Sequence, residues 1–243
     1  GLLNALELQG KKLSEIKLVC LGAGAAGIAS MRLLITLGLR KDHIYMVDRE
    51  GVIHTGRKDL NPYKFAFAIE TDKHTLAEAM KDSDVFIGVS GSNLVTADMV
   101  RSMAAKPVVF AMSNPDPEIH PEVALAARND LILATGRSDF ANQVNNVLCF
   151  PYMFRGALDV RATTINQEML IAAVHAIKDL AREPVPQSVI ANCHGIDKLE
   201  FGPQYIIPKP HDPRLIKVVP PAIARAAIAT KVAKLGYPEH YPD

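Results

Sequence analysis

Residues 16 to 27, IKLVCLGAGAAG, run from an apolar stretch into glycines at positions 22, 24 and 27. The stretch before the glycines is strand-like, and Ala25 to Leu37 after them reads as a helix that stops at Gly38. Each glycine of this G-x-G-x-x-G turn has its own physical reason: a tight turn at Gly22, room for a pyrophosphate at Gly24, and close helix-to-strand packing at Gly27. Ala23, Ala25 and Ala26 keep the rest of the loop small. The free amides and dipole at the helix start then suit phosphate. A second strand, His43 to Val47, delivers Asp48, which lies 21 residues beyond Gly27. That is close to the roughly 20 expected for the acid that meets an adenosine ribose.

Strand and helix signals alternate onward from there. Asn61 caps a helix from Pro62 through Ala68, Thr75 caps Leu76 to Met80, and Thr96 caps a helix to about Met103. Strands are predicted at Val85 to Val89, Val108 to Met112 and Leu131 to Ala134. From Asn142 the chain reads as helical, interrupted at Pro151; Thr164 and Gln167 form a capping box for a helix through Arg182, with Met169, Ala173, Ile177 and Leu180 as its apolar stripe. After a Pro-rich irregular stretch, an Ala-rich helix is expected from about Pro221 to Leu235. The alternation specifies a doubly wound, Rossmann-type α/β fold, with a mainly parallel sheet, helices on both faces and further helices at the C-terminus. The core is expected over residues 12 to 160, with C-terminal helices and an irregular tail over 161 to 243. Ligands in such folds sit beyond the C-terminal ends of the strands. The site candidates are therefore Gly22 to Gly27, Asp48-Arg49, Ser90-Gly91, Ser113-Asn114 and Thr135 to Asp139.

A chain of 243 residues that is 49% hydrophobic can bury a full core, and a net charge of +1 offers no broad basic surface for nucleic acid. A small molecule is the expected ligand. Cys20, Cys149 and Cys193 lack paired or metal-type spacing, which favours a reducing compartment such as the cytoplasm. No apolar run reaches the roughly 18 residues that span a bilayer. The sequence opens on Gly1 within a helical pattern, and the apolar face of Leu2, Leu3 and Leu6 is expected to be open and to favour association.

The groups usual in proton transfer make no catalytic set. His54 and His74 lie in polar loops, and the adjacent Cys193 and His194 are poorly placed to aim at one atom. Asp82 with Asp84 falls at the wrong end of a strand for the cleft, and Asp116 with Glu118 reads as a surface loop spaced by proline.

The segments GAGAAGIAS, VDREGVIHTGR, SNPDPEI, ATGRSDFANQVNNVLCFPYMFRGALDVRAT and FGPQYIIPKPHDPRL closely resemble the dinucleotide-binding half of bacterial malic enzymes, a likeness that runs from Gly1 to about Leu235. The resemblance implies oxidation of (S)-malate by NAD or NADP, then decarboxylation to pyruvate and CO2. It also implies a divalent Mg or Mn ion that holds the substrate and polarises the carbonyl of the oxaloacetate formed from it. By the same resemblance, Gly22 to Gly27 cradle the pyrophosphate, Asp48 and Arg49 meet the adenosine ribose, and Ser90-Gly91 line the adenosine side. Asn114 binds malate, together with Asn146 or Asn145. The other reading of Asn114 is a turn residue before Pro115. Asp48 suits a free ribose 2′-hydroxyl while Arg49 suits a 2′-phosphate, which leaves NAD and NADP both open. The family's catalytic tyrosine and lysine and its metal carboxylates lie in an N-terminal malic enzyme domain absent from this chain. The chain alone is thus expected to bind cofactor without turnover, and the full-length protein to be a homo-oligomer. Two further readings stay open: a stand-alone nucleotide-binding or subunit-contact module, and an amino-acid dehydrogenase of similar fold.

Overall fold

The computed structural model describes residues 1–193 and 197–242. His194 and Gly195, and with them the Cys193-His194 pair, lie outside the described residues. The chain divides into two compact units, Leu2–Ala141 and a second that runs from Asn142 to the end and includes Gly1.

The first unit holds six strands: β1 (Leu18–Leu21), β2 (Ile44–Asp48), β3 (Gly51–Val52), β4 (Val85–Gly88), β5 (Val108–Ala111) and β6 (Ile132–Thr135). They form one sheet in the order β3-β2-β1-β4-β5-β6. All pairings are parallel except the short edge pair of β2 with β3. Strands β1, β4 and β5 are buried along their whole length, as their unbroken apolar runs require when helices cover both faces. The sheet grows one way from β1 to β3 and the other way from β1 through β4. This reversal leaves a crevice beyond the C-terminal ends of β1 and β4.

Helices α1 (Leu2–Leu8), α2 (Ala25–Thr36), α3 (Pro62–Phe65), α4 (Leu76–Met80), α5 (Ala97–Arg101) and α6 (Pro121–Ala127) complete this unit. Their caps follow the sequence. The Asn61 side chain accepts from the Lys64 amide, Thr75 and Glu78 form a reciprocal capping box, and Thr96 accepts from the Met99 amide. Helix α6 was not expected, although Pro121 in its first turn is a usual helix opener. The open N-terminal face was expected and is not found. Leu2 and Leu6 are buried and α1 lies against β5, with the Gln9 side-chain amide donating to the Asp130 carbonyl at 2.9 Å.

The second unit contains α7 (Phe150–Asp159), α8 (Gln167–Leu180), α9 (Gln187–Ile190) and α10 (Leu215–Ala229). Three local expectations are corrected here. The chain is not helical from Asn142, and Pro151 opens α7 rather than interrupting it. The cap of α8 is Asn166, whose side chain accepts from the Met169 amide, in place of Thr164. Helix α10 starts at Leu215, carries Pro220 and Pro221 inside it, and ends at Ala229. Two internal prolines cost about 3 kcal/mol each, about 6 kcal/mol together. Fully burying Leu215, Val219 and Ile223 on one face of α10 returns about 1.5–3 kcal/mol each, which offsets that cost. At Gly156 of α7 an added Cβ would lie 2.6 Å from the Pro220 carbonyl oxygen, so α7 and α10 approach closely. No helix of the described residues is long and apolar enough to cross a membrane.

Candidate functional site

Gly22 begins the turn off β1 with φ of +119°, a left-handed conformation that favours glycine, and an added Cβ would sit 2.7 Å from the Val89 carbonyl oxygen. Its amide donates to the Val47 carbonyl while the Val89 amide donates to Leu21, so the ends of β1, β2 and β4 are tied together around this turn. Gly27 is packed just as closely, since its Cβ would overlap the Gly22 carbonyl oxygen at 1.9 Å. Gly24 differs from both. A Cβ there would meet no atom within 4 Å. Gly24, Ala25 and Ala26 are exposed, and Gly24 caps α2 without any side-chain hydrogen bond, which leaves the first amides of a twelve-residue helix free for an anion.

At the end of β2, Asp48 occupies the expected place, but its carboxylate is already engaged. Arg57 donates to it through Nη1 at 2.8 Å and Nη2 at 3.2 Å, Lys64 through Nζ at 2.6 Å, and the Glu50 amide at 3.0 Å. The Asp48 and Arg57 side chains are 9% and 8% exposed, while Lys64 keeps 27%. Burial pushes the Asp48 carboxyl upward, and the hydrogen bonds from Arg57, Lys64 and Glu50 more than reverse this, leaving it below its ordinary value. Asp59, the second acid on Arg57, is held down at about 2 by that guanidinium. Hydrogen bonds to Asp59 and then Asp48 push Arg57 the other way, above its ordinary value. The sheltering of Asp48 and Arg57 sets this pair apart from surface ion pairs, which contribute only about 0–1 kcal/mol. Arg49 is exposed beside them and has no ion-pair partner among the described residues.

Ser90 and Gly91 follow β4, and Ser113 and Asn114 follow β5, so both pairs open onto the same edge of the sheet. The Asn114 side chain is exposed, and its peptide bond to Pro115 is cis. Glu118 corrects the reading of a surface loop: it is fully buried and accepts from the Ser90 and Ser113 amides. Arg137 and Asp139, after β6, pair with each other at 2.7 Å. Asp84 receives Lys11 at 2.6 Å and the Lys17 amide at 2.8 Å, a structural role. Among the described residues no group of three His, Cys, Asp or Glu side chains is placed to hold a metal ion.

Asn145 and Asn146 belong to the second unit. The Asn145 side chain accepts from the Val147 amide at 3.0 Å and caps a single turn of 3-10 helix, Asn146–Leu148. Asn146 is exposed at its start. The nearby Asn142 is 3% exposed and bridges within its own unit, donating to the Pro203 carbonyl at 2.8 Å and accepting from the Ile206 amide at 2.9 Å.

Residues 1–193 match the family model for the malic enzyme NAD-binding domain. A NADP-dependent malic enzyme of Halomonas elongata is 59% identical over 242 residues, which cover 100% of this chain and 57% of that protein. A NAD-dependent malic enzyme of Rhizobium meliloti is 50% identical, over 96% of this chain and 30% of its own length. The crystal structure of the Entamoeba histolytica malic enzyme superimposes with a TM-score of 0.84 at 36% identity, covering 97% of this chain and 47% of that one. The chain thus spans little more than half the length of the Halomonas relative and less of the others.

Proposed function

This chain belongs to the malic enzyme family through its NAD-binding domain, and from that premise we propose that it is the cofactor-binding half of an enzyme that oxidatively decarboxylates (S)-malate. The observation that carries the reading is Gly24: at the head of α2, between two glycines locked by their neighbours, it alone faces open space. That is the room a pyrophosphate needs against the free amides of Ala25, Ala26 and Gly27.

The residues of the β2 end fit a phosphorylated ribose. Lys64 donates one hydrogen bond to Asp48, and its ammonium has three donors, so it retains donors to offer. Arg49, the residue after Asp48, is exposed. We therefore favour NADP over NAD, with Lys64 and Arg49 on the 2′-phosphate and Arg57 holding Asp48 in place. Asp48 then acts as an anchor for cations and not as a free ribose acceptor. When bound, the dinucleotide supplies the hydride acceptor. Asn114 would orient malate by hydrogen bonding to its carboxylate or hydroxyl. No step through Mg or Mn is assigned to the described residues; we place those ligands and the catalytic acid-base groups in the part of the relatives' length that this chain does not span.

Cytoplasmic residence is proposed from three free cysteines, of which Cys20 is buried with its thiol pushed up to about 12 by burial and by Glu118. Assembly into a homo-oligomer is proposed from Phe150, Phe154 and Leu158, which stand exposed at helical spacing on α7. Calorimetry with Gly24→Val tests the central reading. The variant should keep its fold and lose NADP binding, and a folded variant that binds NADP normally would show that the crevice is not the site.

A further inference from the structure

Glu118 is 0% exposed and has no ion-pair partner among the described residues. Burying a carboxylate is costly unless hydrogen bonds compensate it, and here its two oxygens are divided between two loops. Oε1 accepts from the Ser90 amide at 3.0 Å and Oε2 from the Ser113 amide at 3.0 Å. Ser90 lies two residues beyond the end of β4, and Ser113 two beyond the end of the adjacent β5. The backbone adds to the clamp, because Asn93 donates to the Pro117 carbonyl at 3.0 Å and Val95 to that of Glu118 at 2.9 Å. Space for the carboxylate comes from Gly88, the last residue of β4, where an added Cβ would fall 2.3 Å from Glu118 Cδ.

We propose that Glu118 is a positioning residue that fixes the Ser90-Gly91 and Ser113-Asn114 loops relative to each other, and so shapes the crevice that takes the dinucleotide. The inference rests on the cofactor-site reading given above. A carboxylate presents an acceptor to each loop at once. The amide of Gln presents only one, so Glu118→Gln leaves one loop amide without its partner while volume and shape stay the same. Gly88→Ala reaches the same end by another route, crowding the carboxylate out of its place without changing its chemistry.

The test compares wild type, Glu118→Gln, Gly88→Ala and Gly24→Val as full chains, by NADP calorimetry and by amide hydrogen exchange. In the first two variants NADP should bind about tenfold more weakly or worse, and the Ser90 and Ser113 amides should exchange about tenfold faster or more, with amides of β1 and β5 unchanged. Should one of the two fail to fold, the other carries the test. Unchanged NADP affinity with faster loop exchange would overturn the positioning role, and so would faster exchange throughout the sheet, which marks general destabilisation. If Gly24→Val also binds NADP normally, it is the cofactor-site reading that has failed; if Gly24→Val abolishes binding and Glu118→Gln does not, only the role of Glu118 falls.

Discussion

Lys64 Nζ lies 2.6 Å from the Asp48 carboxylate, so the acid that ends β2 holds a cation where a dinucleotide fold commonly offers a bare acceptor. A cation held there is positioned to meet a 2′-phosphate, and a charge-assisted hydrogen bond to phosphate contributes about 1.5–3 kcal/mol. Lys64→Ala should therefore weaken NADP by roughly tenfold to a hundredfold more than NAD. Arg49→Ala should act in the same direction. Titrating both cofactors into each variant checks this, and equal losses for the two would remove Lys64 and Arg49 from the phosphate site.

The same cluster sets an expectation for acid. The folded Asp48 carboxyl is held below its ordinary value, and Asp59 at about 2. An acid with a depressed folded value contributes stability that is present above its unfolded value, near 3.9, and is lost as pH falls through the folded value. The melting temperature of the chain should thus decline from about pH 4 downward. Asp48→Asn should be less stable at neutral pH and should show a shallower decline below about pH 4. Parallel melting curves for the two proteins across that range would mean that the Asp48 cluster does not govern acid stability.

How much of this was legible in the sequence follows from how local each cause is. The Gly22 to Gly27 turn, its strand and its helix are set by neighbouring residues, and they could be read directly. The Asn61, Thr75 and Thr96 caps were legible for the same reason. The partners of Asp48 were not, because Arg57 and Lys64 lie 9 and 16 residues away and reach it only after β3 turns the chain back along β2. Glu118 was misread as a loop acid since its burial depends on Gly88, a glycine that looks unremarkable in its own strand. Helix α6 carries a local signal in Pro121, whereas the prolines of α10 are tolerated only because of tertiary burial no local rule contains.

Two glycines of one loop should respond unequally to alanine. At Gly27 the new Cβ would overlap the Gly22 carbonyl at 1.9 Å, whereas at Gly24 it meets nothing. Overpacking of this kind costs about 1–3 kcal/mol or more, a fall in melting temperature on the order of 5 °C for a chain of this size. Gly27→Ala should melt lower by about that amount, and Gly24→Ala should melt like wild type. Calorimetric scans of both variants decide the matter; equal melting of Gly27→Ala and wild type would mean that α2 is free to move away from β1.

Asn114 separates substrate binding from cofactor binding. It follows β5 next to Ser113, whose amide is held by Glu118, so the loop is fixed while the Asn114 side chain stays exposed. A side chain that served only to shape the turn before Pro115 would affect folding and cofactor affinity together. One that binds malate would affect malate kinetics alone, by the loss of about one hydrogen bond, 0.5–1.5 kcal/mol if neutral and up to about 3 if the partner is a carboxylate. In a full-length relative carrying this asparagine, Asn114→Ala should therefore lower kcat/KM for malate by roughly threefold to a hundredfold, with the dissociation constant for NADP changed by less than about twofold. Ordinary malate kinetics in the variant would return Asn114 to a turn role, and a parallel loss of NADP affinity would place it on the cofactor instead.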